Sequence, residues 1–254
     1  MKKNLAKSLA LAAVAASTLS TGAAMAADTL AFNAGVVTDY RYRGISQSRH
    51  QPAVQAGVDY TMASGFYVGA WASTINWIKD TGTSNNTAGV TGSVELDLYG
   101  GYKGEITKGL SYDVGVLRYE YVGNKLGRVG GFVDANTTEV YGALTYGVFT
   151  AKYSHSLTNL FGNVNSKNST YIDLSANFDL GNGLTLTPHA GRQVIENSPA
   201  FSYSDYSITL TKDLGKGLSA SLMAVGTDAG RSQYTLVNKY NGKDALVVGI
   251  KYTF

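Results

Sequence analysis

Apolar and polar residues alternate with a period of two along most of the chain beyond its first segment. Leu246, Val248, Ile250, Tyr252 and Phe254 fall on one face, and Val247, Gly249, Lys251 and Thr253 on the other. Val94, Leu96, Leu98 and Tyr102 likewise oppose Glu95, Asp97, Tyr99 and Lys103, and Ile172, Leu174, Ala176 and Phe178 oppose Tyr171, Asp173, Ser175 and Asn177. At the start, Leu30, Phe32, Ala34, Val36, Tyr40 and Tyr42 oppose Asn33, Asp39, Arg41 and Arg43. Such a period belongs to a β-strand with one apolar and one polar face.

The breaks between these segments have their own rhythm. Short turns are expected at 63–65, 104–109, 146–147, 181–183 and 212–217, and longer polar stretches at 44–52, 78–92, 123–135, 157–168, 195–200 and 227–244. Alternating short and long connections join about twelve strands and leave both chain ends on the short-turn side, the signature of a bacterial membrane barrel. A soluble sandwich also alternates. The aromatic residues decide between them, because Tyr60, Phe66, Tyr102, Tyr112, Phe149, Phe178 and Tyr252 gather near the short turns, as an interfacial belt requires. The expected fold is therefore all-β, a closed antiparallel transmembrane β-barrel of about 12 strands. Two places resist this pattern. Both faces around Trp71 are partly apolar, so its facing is open, and Pro188 inside a strand predicts a bulge.

The first segment changes the compartment. Lys2, Lys3 and Lys7 precede an apolar run from Leu9 to Ala16 and an Ala24-Met25-Ala26 cleavage pattern, which predicts a secretory leader over 1–26 and a barrel domain over 27–254. Its three lysines leave with it, so 21 basic against 18 acidic residues become 18 against 18. No nucleic-acid partner is expected from a balanced charge. The absence of cysteine excludes a disulfide scaffold and thiolate metal sites, while 18 Tyr, 30 Gly and only 3 Pro suit strands with aromatic surfaces and tight turns.

Candidate chemistry lies on the polar faces. Asp39, Arg41, Arg43, Glu95, Asp97, Glu139, Lys152 and Asp173 are expected to line the lumen, with the first three near the outer end of the first strand. They form either a charged constriction that filters solutes by sign or an ion-pair lattice that plugs a narrow barrel. Arg49 and His50 in the first outer loop are candidates for meeting surface phosphates. An enzyme is not expected: only Ser48 and His50 have a nucleophile–base spacing, in a loop, and no metal-ligand spacing or cofactor motif occurs. Gly181-Asn182-Gly183 joins two strands and reads as a hairpin turn. His155 shares the outward phase of Phe149 and Tyr153. Phe254 is expected to act in closure and as a C-terminal assembly signal for the barrel-assembly machinery.

Tyr40-Arg41-Tyr42-Arg43-Gly44-Ile45-Ser46-Gln47, Pro52-Ala53-Val54-Gln55 and Ser64-Gly65-Phe66-Tyr67 with Trp71 resemble the TorF family of outer-membrane porins. Glu95 to Tyr102, Leu110 to Gly115, Thr138 to Gly142, Gly181 to Leu186 and the aromatic C-terminus extend the resemblance over nearly the whole exported chain. It implies a bacterial outer-membrane location and a pore. The expected function is passive diffusion of small polar solutes through a charged lumen, with outer-membrane lipid as the surrounding partner. The alternative is a plugged structural, surface-binding or adhesive barrel without transport, acting through loops 78–92 and 227–244 with Tyr234 and Tyr240 as contacts. Oligomeric state is not legible.

Overall fold

The computed structural model describes residues 27–254; the leader expected over 1–26 lies outside them. Twelve strands form the wall: β1 (Thr29–Val37), β2 (Ala53–Thr61), β3 (Phe66–Thr74), β4 (Val94–Thr107), β5 (Leu110–Tyr121) and β6 (Thr137–Tyr146) make one half. The other half is β7 (Phe149–Ser156), β8 (Thr170–Ala176, resuming at Phe178–Asp179), β9 (Leu184–Val194), β10 (Tyr203–Gly215), β11 (Leu218–Thr227) and β12 (Ala245–Thr253). Each strand pairs antiparallel with its neighbours in sequence, and β12 pairs with β1, from Asn33 opposite Thr253 to Val37 opposite Gly249. The ring is closed.

Closure satisfies every strand edge, which a membrane demands because lipid offers no hydrogen bonds. The alternation then decides which side chains meet lipid. On β12, Leu246 is 69% exposed and Ile250 55%, while Val247 between them is 4% exposed. Tyr153 on β7 is also exposed and stacks on His155, so that histidine keeps its outward phase. No helix among the described residues is long and apolar enough to cross a membrane; the strands do so. Toward the short-turn rim, Phe66 packs edge-on to Tyr102 at 4.7 Å, and Phe149 meets Phe178 at 6.4 Å, forming part of the aromatic belt. Phe254 completes the seam. Its backbone exchanges two 2.9 Å hydrogen bonds with Phe32, and the two rings stack at 5.8 Å.

Three local expectations change. Strands β4 and β10 run on through the stretches read as turns, to Thr107 and Gly215, each with a register shift just before its tight turn. Pro188 causes no bulge. The β8–β9 ladder stops after Ser175 opposite His189 and resumes at Phe178 opposite Leu186 in the same register. Proline merely lacks the N–H, and Thr187 Oγ1 bridges the gap to Asn177 Oδ1 at 2.8 Å. The stretch 78–92, expected as polar loop, contains helix α1 (Trp77–Ser84).

The abundance of tyrosine and glycine has a packing cause inside the lumen. Tyr141 lies over Gly115, where an added Cβ would stand 2.5 Å from its hydroxyl, and Tyr67 covers Gly101 in the same way at 2.5 Å. Small residues on one strand thus admit the rings of its neighbours, an aromatic cover for sheet glycines. The apolar core sits higher, among the long loops, where Ile75, Ile78, Val90, Leu126 and Val129 are buried together.

Candidate functional site

β1 ends at Val37, and the following connection folds into the barrel instead of away from it. Arg41–Tyr42 pairs with Ile45–Ser46, and the turn between them has φ of 45° at Arg43 and 78° at Gly44. Two positive values make the primed turn that suits hairpin twist. Glycine is required at the tip, because a Cβ on Gly44 would lie 2.6 Å from the Asp205 side chain of β10. Every residue from Asp39 to Ser48 is buried. Asp39, Arg41 and Arg43 therefore stand on this hairpin and not on the first strand. Tyr40 and Tyr42, whose phase suggested lipid, are inside with them. Strand alternation ceases to sort residues once wall surrounds the segment on both faces.

The hairpin crosses the lumen. It starts between β2 and β12, yet Arg43 forms a two-pronged pair with Glu139 of β6 at 2.7 and 3.0 Å and donates to Gln193 Oε1 of β9 at 2.7 Å. Its guanidinium lies 4.2 Å from the ring centre of Tyr171 on β8. Planar, forked contacts of this kind need arginine in particular. Tyr42 and Tyr119 share a 2.5 Å hydroxyl contact, and Tyr119 donates to Glu139 at 3.1 Å. Tyr40 donates to Glu95 at 3.0 Å and packs edge-on to Trp71 at 5.4 Å, which settles that Trp71 faces the lumen.

Asp39 organises the hairpin base. It accepts from Arg41 Nε at 2.6 Å, Ser46 Oγ at 2.6 Å and Ser48 Oγ at 3.2 Å, and meets His50 Nδ1 at 3.1 Å. The last long connection clamps it from above: Asn241 O accepts from Arg41 and from the Ser46 N–H, and Tyr240 O meets His50 Nε2 at 3.1 Å. Arg49 pairs with fully buried Asp80 of α1. Arg49 and His50 are thus occupied inside the protein, which leaves little for the surface phosphates expected of them.

The remaining candidates lie on the wall. Glu95 and Asp97 are buried on β4, and neither oxygen of Asp97 meets a protein hydrogen-bond partner. Lys152 Nζ sits 4.0 Å from the Tyr141 ring centre. Asp173, opposite Lys152 in register, reaches His189 Nδ1 at 3.3 Å, while His189 Nε2 meets Asp205 at 2.9 Å. His189, Asp205, Gln193 and Asp113 were not singled out from sequence. Their inward phase was readable, but Asp205 reaches His189 across a long connection, Arg43 reaches Gln193 from the hairpin and Tyr67 reaches Asp113 from a strand two places away, and sequence does not encode those registers.

Below the hairpin, on the short-turn side, lies an open chamber. One half of its wall is thin, with Gly35, Thr209, Thr211, Ser219, Ser221 and Gly249 facing in. The opposite half is filled by Tyr67, Tyr99 and Tyr141, with Tyr67 donating to Asp113 and Tyr99 to Asp59, both at 2.5 Å. A second chamber lies above the hairpin among the long loops. The hairpin is the partition between them.

A twelve-strand barrel with short turns at one end, long loops at the other and an infolded segment in its lumen is a porin-type architecture. Similarity to solved structures agrees in fold. The KdgM porin superimposes with a TM-score of 0.55 at 8% identity, covering 88% of this chain and 99% of that one. A KdgM porin in complex with disordered oligogalacturonate gives 0.55 at 8% identity, with 89% and 98% covered, and the NanC porin gives 0.55 at 11%, with 89% and 99% covered. No curated protein matches the chain by sequence. The chain belongs to the family described as "Bacterial protein of unknown function (Gcw_chp)", which it matches over residues 21–254.

Proposed function

We propose that this protein is a channel of the bacterial outer membrane, admitting small polar solutes by passive diffusion past a hairpin that narrows its lumen. The observation that carries this reading is the hairpin itself, seated between two chambers and anchored on the far wall by Arg43 with Glu139. A barrel needed only as a wall has no use for open space on both sides of a partition. The charged groups expected to filter solutes are largely spent on holding it: Asp39 with Arg41, and Glu139 with Arg43. Glu95, which accepts from Tyr40, and Asp97 are buried behind it, and half-buried Lys152 and Asp173 remain on the wall to act on a passing ion. The TorF resemblance supports the same reading. Outer-membrane lipid around the belt, and the assembly machinery reading the strand that ends in Phe254, complete the proposed setting.

The role is non-enzymatic in this proposal. His50 Nε2 faces the Tyr240 carbonyl and not a serine hydroxyl, so the one nucleophile–base spacing in sequence does not become a pair in space.

The test is planar-bilayer recording of the wild type beside a variant with residues 40–47 replaced by a Gly-Ser linker. Heat-modifiable migration on gels verifies that both barrels are folded. Small conductance steps in the wild type and several-fold larger ones in the variant are expected. Silence from both would establish the alternative, a structural barrel. Equal steps would remove the hairpin from any gating role.

A further inference from the structure

The chamber above the hairpin differs in chemistry from the one below. Its floor is the outer face of the hairpin, at Tyr42 and Ile45 to Gln47. One wall carries Trp77 of α1, Tyr121 of β5 and Phe161, packed edge to face at 5.3 Å between the first two and 6.5 Å between the last two. The other carries Phe201, Tyr203 and Tyr234, with Tyr203 and Tyr234 5.2 Å apart. Strands β5 and β10 lie on opposite sides of the ring, so the two aromatic walls face each other across the floor.

No Asp, Glu, Lys, Arg or His is among the described residues lining this chamber, whereas Asp39, Arg41 and Lys251 line the lower one. Its polar lining consists of amides, hydroxyls and the Trp77 indole N–H. Burial, and the neighbouring Tyr240, raise the Tyr234 hydroxyl well above its ordinary pKa, so it stays neutral and donates to the Phe201 carbonyl at 2.6 Å. Two lining groups are left over. Trp77 Nε1, a donor, and Asn241 Oδ1, an acceptor, are buried without a protein hydrogen-bond partner, and Asn241 is only 2% exposed. Buried polar atoms are nearly always satisfied, so such a pair at one cavity points to a ligand that supplies both partners.

We propose that this upper chamber binds a neutral, hydroxylated ring compound, an uncharged mono- or disaccharide. The C–H face of a sugar ring packs on aromatic side chains as other apolar surface does, and its hydroxyls donate and accept in the same molecule. A wholly apolar ligand would leave Trp77 Nε1 and Asn241 Oδ1 unpaired. An ionised sugar would enter a site with no opposite charge to receive it. As a capture step for transport the site rests on the channel reading; as a binding site it does not, because it lies outside the partition.

The chain has two tryptophans, and Trp71 lies below the hairpin, so Trp71→Phe leaves Trp77 as the sole reporter in the chamber. Purified Trp71→Phe protein in detergent is titrated with maltose and, separately, with galacturonate. A saturable change in Trp77 emission with maltose, absent with galacturonate at matched concentration, is expected. Adding Asn241→Ala should weaken maltose binding about ten-fold, the loss of one good hydrogen bond. Tyr121→Leu provides a second variant should the first misfold by the gel assay. No saturable response to maltose, or an equal response to galacturonate, overturns the proposal. Bilayer recording of the same preparation separates the two readings: a maltose response with a silent bilayer sustains the site and sinks the channel, and conductance without a response does the reverse.

Discussion

Arg43 concentrates several physical demands in one side chain. Its backbone is left-handed, which a non-glycine residue adopts at some cost, and its charge is buried in the middle of a barrel. The forked pair with Glu139 and the Tyr171 face compensate both. Removing one partner from such a pair is worse than never having built it, because the other charge is left buried alone. Glu139→Gln is therefore expected to destabilise the hairpin by about 3–5 kcal/mol, read as a lower temperature for loss of the compact gel form. Arg43→Asn tests the cause. Asparagine tolerates the left-handed turn, so a loss similar to that of Glu139→Gln identifies the ion pair, and an unchanged transition identifies backbone strain. The sequence placed Arg43 on a polar face but offered no sign of the turn, since Arg-Gly is not a usual primed-turn pair.

At the scale of elements, the strands were legible because lipid and lumen impose the period of two on every one of them. Their ends were less so. β4 continues past Gly104 and β10 runs on to Gly215, through stretches that suggested turns, since a register shift lets a strand absorb an irregular residue without ending. β1 ends sooner than its alternation did, because Asp39 to Arg43 alternate for another reason: they form one arm of a hairpin of their own. Pro188 shows how a closed sheet accommodates a missing donor by a side-chain bridge. Thr187→Val, which removes the hydroxyl while keeping the shape, should cost about 1 kcal/mol and speed amide exchange at Phe178–Asp179. Unchanged exchange there would mean that the bridge carries no load.

The whole molecule depends on one seam. β12 joins β1, and Phe254 extends the pairing by two backbone hydrogen bonds to Phe32 and a stacked ring contact. Deleting Phe254 frees the Phe32 N–H and carbonyl in a region with little water to replace it. Less heat-modifiable barrel in membrane fractions is expected, with unchanged unit conductance in the molecules that do assemble. Full assembly of the shortened chain would remove Phe254 from the closure. The hairpin and the loop cap lie inside or above this ring, so their contacts form only once the ring exists.

The sequence by itself determined the wall: the strand count, the apolar outer face, the aromatic belt and the inward phase of Glu95, Asp97, Glu139, Lys152 and Asp173. These follow from local rules, in which each residue's position depends on its neighbours two places away and on the solvent outside. Tertiary structure alone decided what occupies the lumen. Arg43 meets Glu139, Tyr40 meets Glu95, and Tyr121 faces Tyr203 across a chamber, each through residues far apart in the chain. Such contacts depend on ring closure and on strand register across long connections, and neither leaves a periodic trace in the sequence.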